Sequence, residues 1–329
     1  MGAWTAEEVR LAHAGGEDLG PESFVLAERE YPDPADGHVL VRVRYASLDP
    51  SHRIRLRHSP AGTVPAAGVV GEVVASASTR FAVGDLVTGS GTWSNLAVLA
   101  EAAATPYTPP PGVPDHHAVG ILGLTGLTAY FGVTRVLRPE PGEKIVVSGA
   151  YGGVGQVACR LAALAGAEVL GVAGGGDRKV QALRAKGIEA VDYRAADFAD
   201  RITAWAPDGA DGYFDNVWGE TSARVVERLR PLGRVALCGQ MSAIGEHAVP
   251  PLPLDDWFVL VTRSLRILGF RAADYASENA TAVAELGRLL AEGKLDQDLH
   301  LVRGWAEAGA AFADMVAGRT FGKLVVDAT

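Results

Sequence analysis

The sequence predicts an α/β protein of two domains, one built on a doubly wound parallel sheet and the other on a barrel-like β fold. The chain has 329 residues, of which 48% are hydrophobic and 21% charged, and this length suffices for two domains with separate cores. Before residue 115, short β-rich segments are separated by turn residues. From Ala118 onward strand-like and helix-like segments alternate, which is typical of a parallel sheet covered on both faces.

In the first region we expect strands within residues 38–48, 68–75 and 85–99. Between residues 38 and 44, three valines alternate with Leu40 and two arginines. This period of two predicts a half-buried strand with Leu40 on the solvent face. The Pro-rich stretch 105–115 ends the region.

The second region contains six predicted parallel strands: Lys144–Ser148, Glu168–Ala173, Ala190–Tyr193, Gly212–Asn216, Arg234–Gly239 and Leu265–Phe270. Helices are predicted over Gln156–Ala165, Arg178–Lys186, Glu220–Leu229 and Ala280–Glu292. The following segment ends in the strand-like GKLVV. We therefore expect domains at residues 1–117 and 118–294, with 295–329 returning to the first domain.

Charge and composition exclude several classes of function. The net charge of -9 is unfavourable for binding nucleic acid or anionic lipid. The two cysteines, Cys159 and Cys238, are too few for a disulfide framework and favour a reducing compartment. Residues 1–10 do not resemble a signal peptide, and the apolar stretch 161–172 is too short to span a membrane. We expect a cytoplasmic protein with a small-molecule substrate.

The segment from Ile145 to Arg160 is an apolar strand, a glycine-rich turn and a helix. Ala150, Gly152 and Gly155 have the spacing of a dinucleotide-binding loop, in which small residues let the backbone approach a pyrophosphate. The amino end of the following helix supplies amides and a positive dipole for phosphates. A tight turn without a ligand is the alternative.

The end of the next strand indicates which cofactor is used. NAD enzymes usually place an acidic residue there for the adenosine ribose. Here three glycines at 174–176 leave room, and Arg178 and Lys179 follow where a 2′-phosphate would lie. We therefore predict NADP(H). The alternative is that both cations belong to the solvated first turn of a helix.

Several further segments carry a resemblance to a known family: ASLDPSHRIR (46–55), TGLTAYFGV (125–133), VVSGAYGGVG (146–155), YFDNVWGE (213–220), LCG (237–239), LRILGF (265–270) and TFGKLVV (320–326). Together they resemble the medium-chain dehydrogenase/reductase superfamily, and more closely its zinc-independent branch of prostaglandin reductases, leukotriene B4 12-hydroxydehydrogenases and 2-alkenal (double-bond) reductases. The resemblance implies a GroES-like substrate domain beside a Rossmann domain, a homodimer, and an active site in the cleft between the domains.

The resemblance also implies positions for the cofactor. Gly152, Gly153, Val154 and Gly155 would hold the pyrophosphate. Lys179 and Tyr193 would contact the 2′-phosphate. The nicotinamide side would be lined by Asn216, Cys238, Gly239, Phe270 and Arg271. For Tyr193 and Phe270 the alternative is an ordinary place in the core.

No zinc site is expected. Neither cysteine belongs to the predicted substrate domain, and a catalytic zinc needs three converging protein ligands. His116 and His117 are adjacent, a poor spacing for one metal, and we interpret them as a surface pair. Trp93 is interpreted as a packing residue.

The predicted pocket departs from the family pattern at five positions. Ser51, Thr262 and Ile244 replace tyrosines, His52 replaces a methionine and Thr320 replaces an asparagine. Thr262 and Ser51 keep hydroxyls, and His52 is a candidate proton donor. Alternatively, His52 faces solvent within the Arg-rich segment 52–58. We assign Ser51, His52 and Thr262 to the candidate catalytic set and Ile244 and Thr320 to the cofactor set.

These observations predict an NADPH-dependent, zinc-free reductase that transfers hydride to the β-carbon of an α,β-unsaturated ketone or aldehyde. Preorganised donors would stabilise the developing enolate oxygen, and water can supply the proton at the α-carbon. The alternatives are a quinone reductase on the same scaffold, a non-catalytic NADPH-binding protein, and an alcohol dehydrogenase.

Overall fold

The computed structural model describes residues 4–16, 19–243 and 252–329. The chain divides into two compact units. One lies within residues 1–124 and 298–329, and the other is Thr125–Gln297. None of the helices in the described ranges is long and apolar enough to cross a membrane.

The first unit opens with an antiparallel hairpin of β1 (Trp4–Leu11) and β2 (Phe24–Tyr31), in which Trp4 lies opposite Tyr31. The elements that follow are β3 (His38–Ser47), α1 (Ser51–Leu56), β4 (Ala66–Ser76), β5 (Leu86–Thr92), β6 (Leu96–Ala100) and β7 (Thr105–Pro106). The strands expected from residues 38, 68 and 85 are confirmed, and the last of these segments forms two strands, β5 and β6.

The prediction that Leu40 lies on the solvent face of β3 is wrong. Leu40 is fully buried, in a small cluster with Ala6, Tyr31 and Leu96. The hairpin β1–β2 supplies two of these neighbours, and it covers the face that the alternation of valines had assigned to water. A strand's own period cannot show that a distant segment covers its second face.

The second unit contains a six-stranded parallel sheet with the order β10-β9-β8-β11-β12-β13. Its strands are β8 (Lys144–Ser148), β9 (Glu168–Ala173), β10 (Glu189–Asp192), β11 (Ala210–Asp215), β12 (Leu229–Leu237) and β13 (Arg266–Gly269). Its helices are α2 (Leu124–Phe131), α3 (Gly153–Leu164), α4 (Asp177–Ala185), α5 (Phe198–Trp205), α6 (Gly219–Val226), α7 (Val259–Thr262) and α8 (Asn279–Ala291).

All six predicted parallel strands are confirmed: β8 and β9 have the predicted bounds, and the other four have shifted ends. The fifth predicted strand ends at Leu237 and not at Gly239, because the amides of Cys238 and Gly239 both donate to the Asp215 carbonyl oxygen. The chain runs outward from β8 through β9 to β10 and then crosses back to β11. The loop after β8 therefore lies where the strand order reverses, the position at which such sheets bind ligands.

The chain then forms β14 (Leu299–Arg303), α9 (Ala308–Val316) and β15 (Lys323–Asp327) in the first unit. Strand β15 pairs in parallel with β14 and antiparallel with β3. The resulting seven-stranded sheet has the order β14-β15-β3-β4-β5-β7, and β6 also pairs with β3. Helix α9 was not predicted. It contributes Phe312, whose ring packs edge-on against Phe24 and Trp93 in the core.

Candidate functional site

The glycine loop joins β8 to α3. Gly152 is the N-cap of α3, and the first helical hydrogen bond runs from the Gln156 amide to the Gly152 carbonyl oxygen. The amides of Gly153, Val154 and Gly155 therefore precede the helical ladder and point out of the amino end of the helix. This arrangement offers three donors and a dipole to a phosphate group.

The loop is too tight for side chains. A Cβ on Gly155 would lie 2.1 Å from the Gly149 carbonyl oxygen, and one on Gly152 would lie 3.1 Å from it. Gly149 itself has a φ of 58°, which favours glycine. The helix therefore begins in close contact with the end of β8, and the space above its first turn is left to a ligand.

A cluster of cations follows the ends of β9 and β10. Lys179 is half-buried in the first turn of α4, while Arg178 is exposed. Burial, together with the like charge of Arg194, lowers the pKa of the Lys179 ammonium, and Asp192 opposes the shift. Because positive charges are held close together here, an anion at this position would be stabilised.

Tyr193 and the glycines 174–176 shape this cluster. A Cβ on Gly174 would lie 2.3 Å from the Tyr193 ring, so only glycine allows the ring to pack there. The Arg194 guanidinium lies over the same ring, 5.5 Å from its centroid. Tyr193 is 41% exposed and is not a core residue. The sequence pattern did not indicate Arg194, because it follows β10 and is separated from Lys179 by the rest of α4.

Asp192 organises the turn. Its carboxylate accepts hydrogen bonds from the Gly176 amide (3.1 Å) and the Arg194 amide (2.8 Å). An acidic residue near the adenosine ribose usually indicates NAD. Here both oxygens are engaged by the backbone, so Asp192 holds the loop that presents Lys179 and Arg194.

Asn216, Cys238 and Gly239 meet on the other side of the glycine loop. The Asn216 side-chain amide donates to the Ser148 carbonyl oxygen at 2.7 Å. A Cβ on Gly239 would lie 2.9 Å from the Asn216 carbonyl oxygen, so the two loops are in contact. Burial, with Asp215 adding to it, raises the pKa of the Cys238 thiol to about 12. Cys238 is therefore a neutral thiol at physiological pH.

Two other residues assigned to the cofactor side follow β13. Phe270 is 8% exposed and packs edge-on against Phe214 at 6.0 Å, as a core residue does. Arg271 is exposed, and its guanidinium pairs with Asp274 at 2.6 Å. Ile244 lies outside the described residues.

Thr262 lies apart from this group. Arg263, the next residue, donates to the carbonyl oxygens of Glu227 and Leu229, where β12 begins. Thr262 is therefore at the amino ends of the parallel strands, whereas the glycine loop and Asn216 are at their carboxyl ends. It lines a separate cavity of about 290 Å³ with Glu227, Asp255, Asp256, Val259 and Arg263.

The remaining candidates belong to the first unit. Ser51 is the exposed first residue of α1. The side chain of His52 is only 13% exposed, and its ring stacks on Phe312 with an interplanar angle of 17°. The interpretation of His52 as a solvent-facing residue is therefore wrong. Packing by α9, which was not predicted, covers the ring.

His52 has a defined protonation state. Its Nδ1 accepts a hydrogen bond from the Asp49 amide at 3.4 Å. Burial lowers the pKa of His52, Asp49 opposes the shift, and Lys323 and Arg55 add to it. The ring is therefore neutral near pH 7 and is poorly suited to donate a proton.

Next to His52 lies a buried ion pair between two residues far apart in sequence. The Lys323 ammonium, 3% exposed, donates to Asp49 at 3.0 Å and to the carbonyl oxygens of Leu48 and Leu324. The Ser47 hydroxyl also donates to Asp49. Burial opposes ionisation of Asp49, but Lys323 outweighs it and the pKa of Asp49 is lowered. Thr320 is buried three residues before Lys323.

Within residues 4–16, 19–243 and 252–329, no group of three or more His, Cys, Asp or Glu side chains is placed to hold a metal ion. His116 is half-buried against Tyr45, at 5.7 Å between ring centroids. Trp93 is fully buried, with its ring stacked on Phe24.

Comparison with known proteins gives the family. Residues 8–106 match a family described as the N-terminal domain of oxidoreductase, and residues 153–288 match one described as zinc-binding dehydrogenase. A putative NADP-dependent oxidoreductase of Bacillus subtilis is 34% identical over 93% of this chain and 92% of that protein. The chain belongs to the medium-chain dehydrogenase/reductase superfamily. The predicted family and the predicted fold class are confirmed.

Further members of the superfamily are 30% to 32% identical to this chain. The NADPH-dependent curcumin reductase of Escherichia coli is 32% identical over 93% of this chain and 92% of that protein. Prostaglandin reductase 1 of Bos taurus is 30% identical over 99% of this chain and 98% of that protein. The crystal structure of CurA from Vibrio vulnificus in complex with NADPH superposes with a TM-score of 0.89, at 31% identity, covering 98% of this chain and 99% of that one.

Proposed function

We propose that this member of the superfamily is an NADPH-dependent, zinc-independent reductase of α,β-unsaturated ketones or aldehydes, with hydride added at the β-carbon. The observation that carries the proposal is the cation cluster of Lys179, Arg178 and Arg194 beside the glycine loop. The relatives named for NADPH-dependent reduction of curcumin and for prostaglandin reduction support the same reaction class.

The residues of the second unit fit NADP(H). The amides of Gly153, Val154 and Gly155 bind the pyrophosphate at the amino end of α3. Lys179, with Arg178 and Arg194, binds the 2′-phosphate, and Tyr193 packs beside it. Asn216 lies two strands and Cys238 and Gly239 three strands away from Lys179, on the side where the nicotinamide half extends. When bound, NADPH supplies the hydride that reduces the double bond.

The chain's own contribution to catalysis is orientation and hydrogen bonding. The substrate gains a hydride at the β-carbon and a proton at the α-carbon, the latter supplied by water. We assign Ser51 as a hydroxyl donor toward the substrate oxygen, because it is exposed at the start of α1. His52 is assigned as a positioning residue for the neighbouring Ser51, since its own ring is neutral and stacks on Phe312. Thr262 is left out of the catalytic set because it lies at the amino ends of the parallel strands, whereas the glycine loop lies at their carboxyl ends.

Zinc is not needed for this assignment. Cys159 and Cys238 are both free thiols. Cys159 is buried, and burial raises the pKa of its thiol to about 12. A thiol of this kind is not available as a metal ligand. The same two reduced cysteines support a cytoplasmic location.

We further propose a homodimer formed through β13. This strand is at the edge of the six-stranded sheet, and all four of its residues are exposed. Leu268 is 53% exposed, and Phe258, Trp257 and Val261 before it are 60% to 68% exposed. An uncovered apolar edge strand is a template for pairing with a second copy.

The test of the function is oxidation of NADPH and of NADH, followed by absorbance, against alkenals, cyclic and acyclic enones, and quinones, with a chelator present. We expect oxidation of NADPH by enones, unaffected by the chelator, with a saturated ketone or aldehyde as product. Hydroquinone as the major product would instead support the quinone reductase. NADPH binding without turnover of any acceptor would support a non-catalytic binding protein, and a chelator-sensitive activity would contradict zinc independence.

A further inference from the structure

Trp218 has a backbone conformation that side-chain-bearing residues rarely adopt. Its φ is 61° and its ψ is -178°, a region almost restricted to glycine. It is the N-cap of α6, two residues after Asn216. Such strain costs about 1–3 kcal/mol in typical cases and persists only where surrounding contacts enforce it.

The buried carboxylate of Asp215 enforces this conformation. Asp215 is fully buried at the end of β11, and its Oδ1 accepts hydrogen bonds from the amides of Val217 and Trp218, both at 2.9 Å. The Tyr213 hydroxyl (3.0 Å) and the Ser148 hydroxyl (3.3 Å) donate to the same oxygen. Two hydrogen bonds therefore hold the turn that carries Trp218 to the carboxylate, and two others hold the carboxylate in place.

The turn also touches the glycine loop. A Cβ on Gly149 would lie 3.3 Å from the Cβ of Asn216 and 3.9 Å from a methyl of Val217. Lys179 and Tyr193 lie beyond β9 and β10, on the other side of β8. Trp218 follows β11, which lies on the opposite side of β8 from the cation cluster of Lys179, Arg178 and Arg194.

Within the described ranges, the indole ring of Trp218 has no polar or aromatic partner. Trp218 is half-buried. Among the residues that the structure describes, its indole makes no hydrogen bond and no contact with another aromatic ring. A large, half-exposed aromatic ring kept in a strained position without a polar or aromatic partner among the described residues indicates a role in binding a ligand.

We infer that Trp218 is a specificity-determining residue, whose indole forms an aromatic wall at the nicotinamide end of the cofactor site and favours planar, conjugated acceptors. This inference rests on the proposed function. A flat apolar face matches an aryl-substituted enone better than a short aliphatic alkenal, because stacking adds to the gain from buried area.

Two variants test the strain. Trp218→Gly and Trp218→Ala both remove the indole, but only glycine adopts this φ and ψ without strain. We expect the glycine variant to melt about 2–4 °C higher than the alanine variant, although glycine has the greater unfolded-state entropy. Equal or reversed melting temperatures would show that Trp218 is not strained and would overturn this step.

The acceptor preference is tested with an aryl enone, 4-phenyl-3-buten-2-one, and a short alkenal, 2-hexenal. We expect Trp218→Gly to lower the ratio of kcat/KM for the aryl enone over that for the alkenal by about tenfold. Trp218→Phe, which keeps an aromatic face, should change this ratio by less than about threefold. An unchanged ratio in the glycine variant would overturn the inference.

A third measurement does not depend on turnover. Tryptophan emission is quenched by energy transfer to the reduced nicotinamide of bound NADPH. We expect Trp218→Phe to remove the largest part of this quenching. The matched control is Trp205→Phe, at the far end of the sheet beside Lys144, which should remove little. A wild-type protein that reduces no acceptor would contradict the proposed function, while equal quenching losses in the two variants would contradict the placement of Trp218.

Discussion

At the scale of the residue, the position of Lys179 gives a direct prediction about cofactor choice. Replacing Lys179 with alanine removes the proposed charge-assisted contact with the 2′-phosphate, so KM for NADPH should rise about 10- to 100-fold, while KM for NADH changes little. Initial rates with each nucleotide measure this. The control is Lys186→Ala, just past the end of α4, where the ammonium pairs with Asp296 at 2.6 Å. An equal rise for NADH would contradict the assignment.

His52 gives a prediction about pH. Burial holds its folded-state pKa below the ordinary value of 6.5, so the native state binds fewer protons than the unfolded state. This group's stabilisation is therefore present above pH 6.5 and is lost as the pH falls below it. We expect His52→Gln to unfold in urea with a smaller loss of stability between pH 7.5 and pH 5.5 than the wild type. The same slope in both proteins would show that His52 is not the titrating group.

At the scale of the element, the hairpin β1–β2 explains why Leu40 is in the core. Leu40→Ala should lower the free energy of unfolding by about 2–5 kcal/mol, because it leaves a cavity under the hairpin. The control is Arg42→Ala, two residues along the same strand and exposed, where a change within about 0.5 kcal/mol is expected. Urea denaturation measures both. Similar losses at the two positions would mean that the hairpin does not cover Leu40.

The hairpin also shows what local sequence patterns omit. Strand β1 carries Glu8, a residue type expected at the surface, yet Glu8 is fully buried. Its carboxylate accepts hydrogen bonds from Arg10 at 2.5 Å and from the Tyr31 hydroxyl at 3.3 Å. The pairing with a strand more than a dozen residues away makes burial of the charge tolerable. The polar residues at 7, 8 and 10 interrupt the apolar pattern of β1, so the sequence around them does not indicate a strand.

The parallel sheet was far easier to predict. Its strands are continuous apolar segments because both faces are buried, and each is followed by a helix of regular period. The glycine loop and Lys179 could be found because their signal is contained within 30–40 residues of one strand-helix-strand unit. Asp49 and Lys323 are 274 residues apart, and no local pattern relates them. Asp215 was missed because its role is to hold the backbone of Trp218.

At the scale of the whole molecule, the exposed edge of β13 predicts the assembly. Leu268→Lys places a charge on the proposed interface and should convert a dimer into a monomer, as measured by size exclusion with light scattering. The control is Val83→Lys in the first unit, where the residue is 65% exposed, and this variant should remain dimeric. A wild-type protein that is monomeric at micromolar concentration would contradict the proposed homodimer.

The return of residues 298–329 to the first unit has a consequence for the order of synthesis. The second unit, Thr125–Gln297, is continuous in sequence, so all of it has been translated before β14 is made. The first unit is interrupted: β3 ends at Ser47, and β15, its neighbour in the seven-stranded sheet, begins only at Lys323. During translation the nucleotide-binding unit can therefore fold first, while the end of β3 that pairs with β15, residues 45–47, lacks this partner on the ribosome.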